Sequence, residues 1–258
     1  MSTEPGAGQG GWHWPSGHDL ILLDEVDSTM AEARRRAPLP RPTWIVARRQ
    51  NAAVGRRGRA WAAPEGNLSA TLVIDPGCPP AQAALYSFVA SYALFATLTA
   101  YVDDHAQIAL KWPNDVLLRG GKLAGILLES DGAGGRVARL AIGIGVNLNT
   151  APAAVAVELR GLAPVTLAEL TGEPVDPLEF LAFLAEHFAH QDRFFRRHGF
   201  GPLRAAWLDR AARLGQTITA RTGTEELTGT FVTVDEDGQL VLETAGGRRS
   251  IAAADVFF

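Results

Sequence analysis

Three short segments hold most of the side chains in this chain that could do chemistry. Gly55-Arg56-Arg57-Gly58-Arg59 places three guanidiniums between glycines. Guanidinium forks are always charged and match phosphate or carboxylate, and glycine lets backbone amides come close to a ligand. Lys111-Trp112-Pro113-Asn114-Asp115 follows a short apolar run, so it falls at a strand end, where sites are commonly built. Gly121-Lys122-Leu123-Ala124-Gly125 sets one ammonium at the mouth of a strand that is apolar on both faces, a costly position unless an anion meets it. Gly125 leaves room there for a ligand or a neighbouring backbone. Each segment also has a plain reading: a solvated basic loop or nucleic-acid patch, a Pro-Asn-Asp turn with a packed tryptophan, a lysine with its head in water. Together they offer cations and backbone amides, with no evident nucleophile, general base or metal cage. Such a site works by neutralising phosphate charge and holding two reactants in line, which suits adenylation.

Other chemistries find little support. The chain has no G-x-x-x-x-G-K-[ST] loop, no G-x-G-x-x-G after its first strand, no H-E-x-x-H and no G-x-S-x-G. Its six histidines are scattered, and His187, His190 and His198 read as surface residues on or just after a helix. Asp235-Glu236-Asp237-Gly238 lacks the rest of a calcium loop and reads as a hairpin turn. The only cysteine, Cys78, excludes an internal disulfide framework and suits a reducing cytoplasm. A net charge of −4 argues against a non-specific nucleic-acid coat, and no DNA partner is expected.

The elements that must position these segments follow from periodicity and end signals. Strands are expected at Leu20–Leu23, Trp44–Ala47, Leu68–Ile74, Ile108–Leu110, Val116–Leu118, Leu123–Glu129 and Val137–Ile144, with a hairpin turn at Gly120-Gly121. Ser28–Glu32 opens a helix, with Thr29 and Glu32 spaced as a capping box; Arg34-Arg35-Arg36 complement its C-terminal dipole and Pro38 stops it. Thr166 with Glu169 forms a second capping box, and Asp176-Pro177 starts a helix with an aromatic stripe at Phe180, Phe183, Leu184 and Phe188. The uncharged stretch from Pro79 to Tyr101 is long enough to span a bilayer, but it is Ala-rich, carries Ser and Thr and lacks basic flanks; a core helix packed on a sheet explains it better, so no membrane is expected. After a helix at Leu203–Leu214, short strands at Gln216–Arg221, Leu227–Val234, Leu240–Thr244 and Arg249–Ala253 form an all-β module too small for a confident core of its own. Residues 1–19 read as a flexible tail without a secretory signal, with Trp12 and Trp14 hinting at one docking contact.

The three segments, in this order, resemble the bacterial biotin protein ligases. The match runs from about Leu20 to Phe258 and also takes in Asp27-Ser28-Thr29, Gln50, Trp61, Glu129, Gly143–Asn147 and the β tail. The resemblance implies an α+β fold: a mixed central sheet flanked by helices, of class II synthetase type, over residues 20–213, and an SH3-like β-barrel over 214–258. It implies that the biotin carboxylate attacks the α-phosphate of ATP, with Mg2+ present, to give biotinyl-5′-AMP. A lysine of a biotin carboxyl carrier domain, as in acetyl-CoA carboxylase, then takes the biotinyl group. By the same resemblance Ser28, Thr29, Met30, Gln50, Val54, Gly55, Arg56 and Lys122 bind biotin, while Arg56, Arg59, Trp61, Asn114, Asp115, Lys122 and Asn147 bind ATP and the adenylate. Lys122, Arg56 and Lys111 carry the catalysis. No metal ligands are assigned, and a homodimer is compatible with the resemblance.

Two departures stand out. The family's loop commonly reads G-R-G-R-R-G-R, whereas Ala53-Val54 precede Gly55 here, so different loop ordering with intact chemistry is expected. Regulatory members carry an N-terminal DNA-binding winged helix, whereas only Met1–Asp19 precede the first strand, so a ligase without repressor activity is expected. The competing readings are a lipoate or octanoate ligase or transferase of the same catalytic fold, a non-catalytic protein that sequesters biotinyl-AMP, and nucleic-acid binding through Arg34–Arg36 and Arg56–Arg59.

Overall fold

The computed structural model describes residues 13–36, 38–152 and 161–258. Two sheets organise them. The larger is built from β1 (Asp19–Val26), β2 (Thr43–Gln50), β3 (Leu68–Ile74), β4 (Ile108–Lys111), β5 (Asp115–Leu118), β6 (Gly121–Ala133) and β7 (Arg136–Val146). Its order is β1-β2-β3-β7-β6-β5-β4; β1 and β2 run parallel and every other neighbouring pair is antiparallel, so the sheet is mixed. The smaller contains β8 (Thr217–Arg221), β9 (Glu226–Val234), β10 (Leu240–Thr244), β11 (Gly247–Ile251) and β12 (Asp255–Phe257), in the order β11-β10-β9-β8-β12.

Side-chain alternation along β7 shows how the large sheet divides its faces. Leu140, Ile142, Ile144 and Val146 enter the main core, while Ala141 belongs to a small cluster with Met30, Ala33, Ile45 and Val73 on the opposite face. Helix α1 (Thr29–Arg35) covers that second face. The main core lies under α2 (Pro80–Ala84), α3 (Tyr86–Leu98), α5 (Pro177–His198) and α6 (Phe200–Leu208). Phe180, Leu184 and Phe188 of α5 are buried, and Phe188 meets Trp44 edge to face at 6.0 Å. The span Pro80–Leu98 is long and apolar enough to cross a membrane, yet most of it is buried inside the protein against the sheet and α5.

Several elements differ from the sequence expectation, each for a local reason. Strand β1 continues through Asp24–Val26 because parallel pairing with β2 extends to Val26–Gln50. Thr29 and Glu32 do not form a capping box. The Thr29 hydroxyl turns inward to Gln50, Asp27 accepts from the Ser28 amide at 2.7 Å, and Glu32 is taken by Arg35 and Arg36. The Thr166–Glu169 box does form, with both reciprocal bonds at 3.2 Å, opening the one-turn α4 (Ala168–Thr171). The Asp176 carboxylate caps α5 through the Leu178 and Glu179 amides. The β5–β6 turn uses Arg119 and Gly120, both at positive φ, rather than Gly120-Gly121.

Helix α6 ends at Leu208, not Leu214. Strand β4 has a free edge there, and the Leu110 amide and carbonyl pair with Arg210 and Ala212 at 2.8 Å each, drawing the chain out of the helix. The fifth strand of the small sheet, β12, escaped the sequence reading; its three residues are too few to show alternation. Trp14 packs partly against the main core and its Nε1 donates to the His18 carbonyl, whereas Trp12 and the rest of residues 1–12 lie outside the described residues.

The β9–β10 turn joins the two sheets. The buried Trp112 donates from Nε1 to the Gly238 carbonyl at 3.0 Å. Gly238 has φ +78, and a Cβ there would lie 2.8 Å from Leu85 Cδ2 and 3.0 Å from Phe88 Cε2. Gly238→Ala therefore combines a left-handed backbone with overpacking. It should cost about 2 kcal/mol in urea unfolding.

Candidate functional site

A cleft of about 600 Å³ opens on the α1 face of the large sheet and extends to the small sheet. Its floor is made of small residues. Gly125 of β6 and Gly143 and Gly145 of β7 face outward; Cβ atoms there would meet Trp61 at 3.1 Å, Met30 Sδ at 2.9 Å and Trp61 Nε1 at 2.6 Å, respectively. Glycine at these positions is what allows the indole and the thioether to lie against the sheet.

At one end, a hydroxyl chain orients Gln50. Thr71, buried on β3, donates to the Thr29 hydroxyl at 2.8 Å; Thr29 donates from Oγ1 at 3.1 Å and from its backbone amide at 2.7 Å to Gln50 Oε1. With its oxygen taken twice, the Gln50 side chain offers the cleft an NH2 donor. Thr71 was not singled out from sequence, because one threonine among the apolar residues of a strand carries no positional signal.

Lys122 reaches the cleft through a β-bulge. Val116 pairs with Ala124, but Leu117 pairs with Lys122, which leaves Leu123 as the extra residue on β6. Strict alternation would send Lys122 to the core with Ala124; the bulge returns it to the face of Gly125, whose added Cβ would lie 3.6 Å from Lys122 Cε. Its backbone is clamped as well, donating to Ala163 O at 2.8 Å and accepting from Val165 N at 3.1 Å. The Asn147 amide donates to Lys122 O at 3.3 Å. The ammonium pairs with Asp115 Oδ1 at 2.7 Å and sits 5.4 Å from the Trp61 ring centroid.

Asp115 also faces Lys111 at 3.6 Å, so one carboxylate serves two ammonium groups. Burial lowers the Lys111 pKa, and the Lys122 charge pushes the same way against the opposing pull of Asp115. Asn114 is fixed by its Nδ2, which donates to Ile126 O at 2.6 Å. Trp112 is the packed tryptophan of the plain reading, while Lys111, Asn114 and Asp115 of the same segment line the cleft.

The arginine loop arches over this cation pair. Gly55 N donates to Arg59 O at 2.7 Å, Val54 bridges Ala60, and Arg57 takes φ +56 between them. Arg56 Nη1 reaches Asn114 Oδ1 at 3.5 Å and Ala254 O at 3.3 Å, and its burial lowers its pKa. Asp255 of β12 receives Arg57 at 2.9 Å and Arg59 on the same carboxylate oxygen, with Arg56 at 3.9 Å. Burial alone would raise the Asp255 carboxyl; Arg59, Arg57 and Arg56 outweigh it and hold it below the usual carboxylate range.

All the sequence-derived candidates line this one cleft: Ser28, Thr29, Met30, Gln50, Val54, Gly55, Arg56, Arg59, Trp61, Lys111, Asn114, Asp115, Lys122 and Asn147. Asp255 and Phe257 line it too and were missed, because they come from the strand that the sequence did not reveal. Among the described residues no group of three His, Cys, Asp or Glu side chains could hold a metal ion. What the cleft offers chemically is cation charge, amide donors and a flat apolar floor.

Comparison with known proteins locates the same regions. The profile of the biotin/lipoate A/B protein ligase family matches residues 20–147, and that of the biotin protein ligase C terminal domain matches residues 214–258. A biotin–[acetyl-CoA-carboxylase] ligase of Paracoccus denitrificans is 51% identical over 238 residues, covering 92% of this chain and 99% of that protein. The bifunctional ligase/repressor BirA of Bacillus subtilis is 32% identical over 93% of this chain and 74% of its own length. Among solved structures, a biotin protein ligase from Aquifex aeolicus in complex with biotin and ATP superposes with a TM-score of 0.78 at 26% identity, covering 92% of this chain and 97% of that one.

The buried Lys111 ammonium yields a stability test. Its pKa in the folded chain lies below the ordinary 10.5, so the unfolded chain binds the proton more tightly, and folding grows more favourable as pH rises through that interval. Lys111→Met keeps the volume, removes the charge and leaves Asp115 paired with Lys122. It should raise stability by about 1 kcal/mol at pH 7, with the gain over the native chain shrinking when urea unfolding is repeated near pH 10.

Proposed function

The chain belongs to the biotin/lipoate A/B protein ligase family, and we infer that it is a biotin protein ligase, which activates biotin with ATP and passes it to a lysine of a biotin carboxyl carrier such as that of acetyl-CoA carboxylase. One observation carries this reading at the level of residues: Lys122, Lys111 and Arg56 converge in a single cleft with glycine-floored apolar space beside them. The carboxylate of biotin attacks the α-phosphate of ATP, forming the mixed anhydride biotinyl-5′-AMP and releasing pyrophosphate. The acceptor ε-amine then attacks the anhydride carbonyl, giving an amide and AMP.

In this reading the chain's work is positioning and charge. Ser28, Thr29 and the Gln50 donor hold the polar ring end of biotin, and Met30, Val54 and Gly55 border its apolar body. Lys122 exchanges Asp115 for the biotin carboxylate and α-phosphate, and its three donors stabilise the charge that builds as the bond forms. Arg56 closes on the phosphate from the loop side, with Arg59 beside it. Trp61, Asn114, Asp115 and Asn147 border the nucleotide, and Lys111 stands on the acceptor side. Mg2+ belongs to the reading as the companion of ATP: Asp115 and Asp255 already face cations, so the ion would arrive on the nucleotide's phosphates, where it shields their charge. The lone Cys78, buried and unpaired, accords with a cytoplasmic setting.

Pyrophosphate release is the deciding assay. The native chain should release pyrophosphate from ATP only when biotin is added, and should label a carrier domain on lysine. Lys122→Ala should slow the release by about a hundredfold or more, the scale of losing one charge-stabilising donor. Lipoate or octanoate in place of biotin should support neither step. Release driven by lipoate alone, or none with any of the three acids, would overturn the assignment.

A further inference from the structure

Around the arginine loop, the charges are unevenly shared. Arg56, Arg57 and Arg59 crowd four residues of chain, and the carboxylate that faces all three is Asp255, delivered from the far end of the sequence and only 8% exposed. Arg57 and Arg59 contact the same Asp255 oxygen, and Arg221 of β8 stands 3.7 Å from it. Arg56, at 3.9 Å from the other oxygen, is the least engaged with the carboxylate and lies half-buried beside Asn114. Backbone bonds close the loop's base, but its tip lies outside the core: no residue of Arg56–Gly58 is buried, and Arg57 and Gly58 both take left-handed φ, at +56 and +71. Three like charges on a strained turn repel one another and favour opening unless an outside group restrains them.

We propose that Asp255 is the positioning residue of the arginine loop: from the small sheet it ties down Arg57 and Arg59, and so presents Arg56 to the phosphate that the cleft receives. In this role Asp255 acts through the arginines that it holds. The small sheet thereby takes part in adenylation by holding the loop closed over the intermediate. The identity of the phosphate rests on the ligase reading above, whereas the tether does not.

The test uses the full chain and separates these two parts. Trypsin cleaves after arginine, so the rate of cutting after Arg56, Arg57 and Arg59, followed by mass spectrometry without ligand, reports loop opening. Asp255→Asn should be cut there at least about tenfold faster than the native chain, with unchanged cutting elsewhere and an unchanged thermal midpoint. Asp255→Glu should recover most of the protection. Biotinyl-AMP formed in place should leave Asp255→Asn about tenfold faster in a rapid gel-filtration chase. Arg57→Gln breaks the same contact from the exposed side; it should show a smaller increase in cutting, and it stands in if Asp255→Asn fails to fold. Equal loop cutting and equal adenylate release in the native and Asp255→Asn chains would overturn the proposal. If the native chain forms no adenylate, the ligase reading fails, and the trypsin rates still decide the tether.

Discussion

Two carboxylates hold together the five cations that line or cover the cleft, with Arg221 of β8 standing beside one of them. Arg56, Arg57 and Arg59 approach Asp255, and Lys111 and Lys122 approach Asp115. Unit charges about 4 Å apart repel by several kcal/mol at the edge of a protein, so neither group would stay assembled alone. Each carboxylate offsets part of that repulsion and leaves a net positive surplus. A surplus is what a phosphate-handling site needs: enough attraction to draw an anion, with the cations already in place before it comes. The two sheets meet around this arrangement, Asp115 coming from the large one and Asp255 from the small.

Backbone geometry does the rest. A cation must reach the ligand without intruding on the core, and a ligand must lie flat on a sheet without striking side chains. The bulge at Leu123 meets the first need by moving Lys122 across the sheet in one step, while Leu123 itself stays buried. Gly125, Gly143 and Gly145 meet the second: the indole of Trp61 rests where the side chains of 125 and 145 would have been, and the Met30 thioether where that of 143 would have been. Lysine fixed at N, O and Nζ loses little further freedom when it meets an anion. The cost falls on Lys111, whose ammonium is buried and lowered in pKa beside another positive charge.

How much of this was legible in the sequence depends on the range of the interaction. Strand β3 matched residue for residue, and the Thr166–Glu169 box and the Asp176 cap formed as spaced, because alternation and capping are local. Seven of the site candidates, from Gly55 to Lys122, could be picked out because three short segments keep their chemistry in a few adjacent residues; Ser28, Thr29, Met30, Gln50, Val54, Trp61 and Asn147 were named only through the family resemblance. What failed was non-local. The Thr29–Glu32 spacing was right for a box, but Gln50, twenty-one residues away, offered Thr29 a better acceptor. The end of α6 was unwound by the free edge of β4, a hundred residues earlier. Thr71 and Asp255 matter only through partners distant in the chain, so a single sequence gives neither any mark. Lys122 is the mixed case: its residue type drew attention, but period-two reasoning would have pointed it into the core.

The same charge balance bears on Ala53-Val54, where the related loops commonly carry glycine and arginine. Val54 is exposed at the cleft and bridges Ala60, closing the base of the loop through backbone alone. An arginine here would add a further cation to a cluster whose two carboxylates are already engaged by Arg57, Arg59 and Lys122. It would need the ligand's own phosphate as its partner and would stay repelled until that phosphate arrived. With valine at 54, Asp255 has only the loop's own Arg57 and Arg59 and the nearby Arg56 and Arg221 to balance.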